Sequence, residues 1–149
     1  MINNRLVTTL FILAVFTLGF LLGKIGSQQL ATSADAQTKS RVFEIRTYTT
    51  EEGKLDALQA RFRNHTTGLF KKHGMTNIGY WTPQDPPLSR NTLIYILAHP
   101  SREAATKHWE EFRNDPEWKK VREESEANGK IVSKVESVFA EATDYSPLK

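Results

Sequence analysis

Side chains alternate along VFEIRTYTT, residues 42–50, and the stretch is rich in β-branched and aromatic residues. A period of two with that composition predicts a strand. One parity of this strand reads Val42, Glu44, Arg46, Tyr48, an unusually polar set. After a turn at EEG the period lengthens, and Leu55, Leu58, Phe62, His65 and Leu69 form one stripe of a helix over 54–73. At 3.6 residues per turn this helix has about five turns. Gly74 then suits the left-handed residue that ends a helix. MTNIGYW, 75–81, reads as a second strand, and TPQDPPLSRN as a loop with three prolines. TLIYILAH, 92–99, is almost wholly apolar, as a central strand covered on both faces would be.

Ser101 is placed to cap a second helix whose stripe runs Ala105, His108 or Trp109, and Phe112. This helix breaks at NDPEW. There Asp115 can cap and Pro116 fits the first helical position, starting a third helix through Trp118, Val121 and Ser125. Asn128-Gly129 stops it, and KIVSKVESVFAEA, 130–142, alternates again as a fourth strand. The order βαββαβ predicts an α+β fold of ferredoxin-like type, a four-stranded antiparallel sheet with its helices on one face. Such a sheet leaves its other face bare, and the simplest cover is a second copy of the chain, so a homodimer packed sheet to sheet is expected. Glu44, Arg46 and Tyr48 are expected on that uncovered face, turned into the interior of the dimer.

The N-terminus has a different character. Arg5 precedes seventeen mostly apolar residues, Leu6 to Leu22, followed by a polar stretch of small residues. Ala34-Asp35-Ala36 has the form of a signal cleavage site. The apolar run also meets the lower limit for spanning a bilayer, roughly 17 residues. Residues 1–36 are therefore expected to be a signal peptide or an N-terminal membrane anchor with a polar tether, and residues 41–148 the folded domain. The domain would be exported, periplasmic or otherwise extracytoplasmic, and any membrane contact would run through residues 6–22.

Composition narrows the function classes. Cysteine is absent from the 149 residues, which removes disulfides, thiolate catalysis and cysteine metal sites. The formal net charge of +3 comes from basic residues interspersed with nearly as many acidic ones. Nucleic acid, which requires a clustered basic face, is not an expected partner.

Several stretches together resemble the NIPSNAP family: VFEIRTYTTEEGKLDAL, KKHGMTNIGYWT, LIYILAHPSREAA, FRNDPEWKKV and the closing YSPL. The resemblance covers residues 41 to 148, and its most specific parts are the E-x-R-x-Y strand, the His-Gly helix end and Asp-Pro-x-Trp. It implies a dimeric α/β-barrel fold and little about chemistry, because the family has no well-defined catalytic activity. Eukaryotic members are associated with mitochondria and vesicle or mitophagy roles. The secretory-type leader departs from that pattern, and those roles are not carried over.

Candidate chemistry centres on Glu44, Arg46 and Tyr48. A buried Arg46 needs a partner, which Glu44 two residues away can supply, and Tyr48 adds a hydroxyl. Such a lining can orient a small polar or anionic ligand, and equally serves as a structural ion pair. His65 falls on the apolar stripe of the first helix, where packing explains it more readily than catalysis. His73 is favoured at a helix C-terminus by the dipole. His99 and His108 lie nine residues apart, and without an H-E-x-x-H run or an i, i+4 ligand pair no metal site is expected. Among the aromatics, Trp81 is a candidate for lining an apolar ligand pocket. There is no glycine-rich phosphate loop, and no cofactor is expected. Two function classes follow, with a third beside them. The first is a homodimeric binding domain with a small-molecule pocket. The second is a cofactor-independent enzyme of monooxygenase-like or isomerase-like type, with Arg46 and Tyr48 holding an oxyanion and His65 or Glu44 as base. A haem protein is the third, and would need an accessible ligand such as His65 or His73.

Overall fold

The four predicted strand segments pair into one antiparallel sheet: β1 (Val42–Thr50), β2 (Thr76–Trp81), β3 (Thr92–His99) and β4 (Val132–Glu141), in the order β2-β3-β1-β4. The computed structural model describes residues 41–149, so the expected leader, cleavage site and tether lie outside the described residues. Helices α1 (Leu55–Arg61) and α2 (Thr67–Lys72) are joined by a π-helical turn, Phe62–Thr66, into one continuous rod between β1 and β2. Helices α3 (Arg102–Asn114) and α4 (Pro116–Ser125) connect β3 to β4. The α+β, ferredoxin-like order is therefore present. Among the described residues no helix is long and apolar enough to cross a membrane.

Local chemistry fixes the element ends. The Ser101 hydroxyl accepts from the Ala104 N–H at 3.1 Å and caps α3. The Asp115 carboxylate accepts from the Glu117 N–H at 2.7 Å and caps α4, with Pro116 in its first turn. Gly74 takes φ +76 after α2, and a Cβ there would lie 2.8 Å from the His108 ring, so both conformation and space call for glycine.

Between sheet and helices the core comprises Leu58, Phe62, Leu69 and Phe70 from the first rod, Leu93, Tyr95 and Leu97 from β3, and Trp109 and Phe112 from α3. Each such side chain contributes roughly 1.5–3 kcal/mol on burial. The rings of Phe62, Phe70 and Tyr95 meet at 5.2–6.1 Å between centroids, mostly edge to face.

Two expectations are corrected here. Glu44 pairs with Leu97 of β3, Arg46 with Tyr95 and Tyr48 with Leu93, and those three are core residues. Glu44, Arg46 and Tyr48 thus face the helices, and the uncovered face carries Ile45, Thr47, Ile94, Ile96 and Val138. Alternation separates the two faces of a strand without saying which one the helices cover. The polar face can lie inward because Trp109 and His99 reach it from elsewhere in the chain.

The second correction is His65, which is exposed. Each residue of a π turn advances less around the axis than in an α-helix, so the stripe is carried one residue onward. Thr66 takes the buried position, and its hydroxyl donates back to the Arg61 carbonyl at 3.3 Å.

Candidate functional site

The polar face of β1 lies beneath α3, and Glu44 at its centre is 1% exposed. One carboxylate oxygen accepts from Trp109 Nε1 at 2.6 Å and faces His99 Nε2 at 3.2 Å. The other accepts from Ser137 Oγ of β4 at 2.7 Å and from an Arg46 Nη. Burial alone would raise this carboxyl, but the bonds from His99, Ser137 and Trp109 and the Arg46 charge outweigh it and hold the value at about 2. Against the desolvation that burial imposes, the neighbouring Tyr95, Tyr48 and Glu44 keep the Arg46 guanidinium charged. That guanidinium lies 4.2 Å over the Trp109 ring, and its second Nη is 3.5 Å from the Tyr48 hydroxyl.

Arg46 and Tyr48 also form the floor of a cleft of about 440 Å³. Phe62, Thr66 and Phe70 of the first helical rod form one wall; Trp109, Phe112 and Arg113 of α3, with Trp118 and Arg122 of α4, form the other. Val132 and Val135 of β4 close the side. The cleft exists because β4 is an edge strand whose helix-facing side is only partly covered: Val135 is 45% exposed. A smaller cavity, about 310 Å³, lies on the other side of Arg46 and Trp109, between Ser137 and Phe139 of β4 and Arg102 of α3.

The predicted site residues separate into two groups. Arg46 and Tyr48 reach the cleft, and Glu44 lies behind them as their anchor. His65 faces a different depression, beside Val121 and Ser125 on the outer side of the helices. Trp81, 51% exposed, lies on the uncovered sheet face, with its ring over Gly79. His73 meets the Asp115 carboxylate at 2.6 Å and belongs to a helix junction. His99 and His108 do come together, Nδ1 to Nδ1 at 3.3 Å, under Glu44 and away from the cleft lining. Among the described residues no group of three or more histidine, aspartate or glutamate side chains could hold a metal ion.

Sequence reasoning missed Arg61. It is buried, donates to Ser125 Oγ at 3.3 Å and Glu126 Oε1 at 3.1 Å, and stacks 5.4 Å over the Trp118 ring. An arginine beside an apolar stripe looks like any solvated helix residue, and only the packing of α4 against α1 distinguishes it.

The architecture can be set beside known proteins. A NIPSNAP family protein of unknown function from Agrobacterium tumefaciens strain C58 is 20% identical, with 75% of this chain and 96% of that one aligned at a TM-score of 0.65. An uncharacterised NIPSNAP-like domain protein from Burkholderia xenovorans is 15% identical over 74% of this chain and 93% of that one, at 0.64. More distantly, a monooxygenase from the gene ActVA-Orf6 of Streptomyces coelicolor, solved with nanaomycin D, shares the fold at 11% identity and a TM-score of 0.50. It aligns over 74% of this chain and 95% of its own. No curated protein matches the chain. The NIPSNAP family model matches residues 43–147, well over half of the chain, and the chain therefore belongs to the NIPSNAP family.

Proposed function

We propose that this NIPSNAP domain is a small-molecule-binding module whose ligand occupies the cleft between β1, β4 and the helices. The observation that carries the reading is the cleft itself: about 440 Å³, walled by the rings of Tyr48, Phe62, Phe70, Trp109, Phe112 and Trp118, with basic and hydroxyl-bearing side chains between them. That size falls in the range of small-molecule sites, in which aromatic walls supply contact area and placed polar groups fix orientation. The π-helical turn supports it too. It supplies Phe62 and Thr66 to the lining, and π turns concentrate at functional positions.

Binding has more support than catalysis. Glu44 has a donor or a histidine nitrogen at four places and a value of about 2, so it has little capacity to take a proton near neutrality. His65, the other candidate base, is not part of the lining. We further propose that the module is a homodimer joined through the uncovered sheet face. The apolar segment over residues 6–22 supports export, with the domain tethered or released on the extracytoplasmic side.

Native mass spectrometry of the purified protein tests the cleft. A retained small molecule is expected, and it should be lost from a Val135→Trp variant, in which an indole enters the cleft from its half-exposed β4 side. Identical ligand retention by that variant would place the binding elsewhere.

A further inference from the structure

Resting on that reading of the cleft, we infer that its ligand is a planar aromatic anion, a two- or three-ring carboxylate or a molecule of equivalent charge and shape. Six basic residues line the space: Arg46, Arg61, Arg113, Arg122, Lys130 and Lys134. Only three carboxylates among the described residues lie within ion-pair distance of them. Glu44 is taken by Arg46, Glu136 by Lys134 at 2.8 Å, and Glu126 is shared between Arg61 at 3.1 Å and Arg122 at 3.4 Å. Arg113 and Lys130 meet no carboxylate within that distance among the described residues. The lining is therefore positive in excess, and its aromatic walls displace part of the water that would screen that charge.

Two further observations point the same way. Arg46 and Arg61 each lie over an indole of the cleft, Trp109 at 4.2 Å and Trp118 at 5.4 Å. The Nε of each guanidinium is buried and has no hydrogen-bond partner. Buried donors of this kind are costly when unpaired, and an anion held by the same guanidinium groups would offset part of that cost through its charge. A cationic ligand would meet net repulsion, since Glu126 is the one carboxylate in the lining among the described residues. A neutral one would leave the excess charge unanswered. The flat body follows from the walls, since six aromatic rings offer stacking and edge contacts that a planar ligand uses best.

The test compares three naphthalenes that differ only in charge: 2-naphthoate, 2-naphthalenemethanol and 2-naphthylmethylammonium. Each is titrated into the purified protein by calorimetry, and the indole N–H resonances are followed by NMR. The naphthoate is expected to bind at least tenfold more tightly than the alcohol, to shift Trp109 and Trp118 but not Trp81, and to weaken with added salt; the ammonium should not bind. In Arg113→Gln/Lys130→Gln, two side chains outside the ion pairs, the preference for the acid should fall several-fold while Tm stays unchanged. Equal affinity for acid and alcohol with the same indoles shifted would overturn the anion assignment and leave the cleft reading standing. Failure of all three probes to move Trp109 or Trp118 would remove the cleft reading with it.

Discussion

Glu44 shows how one side chain serves both fold and site. With groups from Trp109, His99, Ser137 and Arg46 gathered round it, the carboxylate fixes where Arg46 stands, and Arg46 in turn forms the cleft floor. Its folded value of about 2 lies below the ordinary 4.5, so the folded state binds the proton more weakly than the unfolded chain does. The resulting stabilisation is complete above about pH 4.5 and drains away as the pH falls towards 2, amounting to about 3 kcal/mol. Glu44→Gln is expected to lower stability by about that amount at pH 7 and to flatten this stretch of the acid-unfolding curve. Urea titrations at pH 7, 4 and 3 check it. A variant with the wild-type acid slope would show that the carboxylate is not held as described. The pair Glu44–Arg46 is visible in the sequence as neighbours of one parity. Its other partners are not, since Trp109 and Ser137 stand 65 and 93 residues away from Glu44.

At the scale of elements, the junction of α2 with α4 rests on Asp115. One carboxylate oxygen caps α4 through the Glu117 N–H, and the other receives Lys72 at 2.8 Å and His73 at 2.6 Å. The Lys72 ammonium, helped by His73 and the Glu117 N–H, keeps this carboxyl well below the usual range against the effect of burial. Asp115→Ala should cost about 2 kcal/mol, the lost cap plus a stranded histidine, whereas Asp115→Asn should keep the cap and cost roughly half as much. Equal losses for the two, measured by urea unfolding, would mean that the charge rather than the cap holds the joint. The cap was legible because Asp-Pro at a helix start is a local signal, as were Ser101 and Gly74. His65 leaves the stripe for a physical reason: a constant 3.6 residues per turn puts it on the buried face, and nothing in FRNHT announces the π turn. The boundaries of β2 and β4 moved by one or two residues, to Thr76–Trp81 and Val132–Glu141, because strand pairing rather than composition ends them.

For the whole molecule the unanswered surface is the sheet face away from the helices. Ile96, Ile45 and Val138 stand side by side across β3, β1 and β4, and Ile94 adjoins Trp81 across β3 and β2. Val138 is 61% exposed and Trp81 51%, so this is a contiguous apolar band rather than scattered residues. A band of this kind across a sheet favours association, and a two-fold arrangement lets the same patch serve both partners. The proposed homodimer leaves the cleft on its opposite side intact, so assembly and ligand binding separate cleanly. Ile45→Glu/Val138→Glu places charges on this face without touching the helix-covered core. Sedimentation velocity at micromolar concentration should give a dimer for the parent chain and a monomer for the variant, with far-UV circular dichroism unchanged and naphthoate affinity within about twofold. A parent chain that sediments as a monomer would refute sheet-to-sheet pairing. Loss of naphthoate binding together with the dimer would instead mean that the second subunit helps to shape the cleft, which the position of Arg46 and Tyr48 beneath α3 argues against.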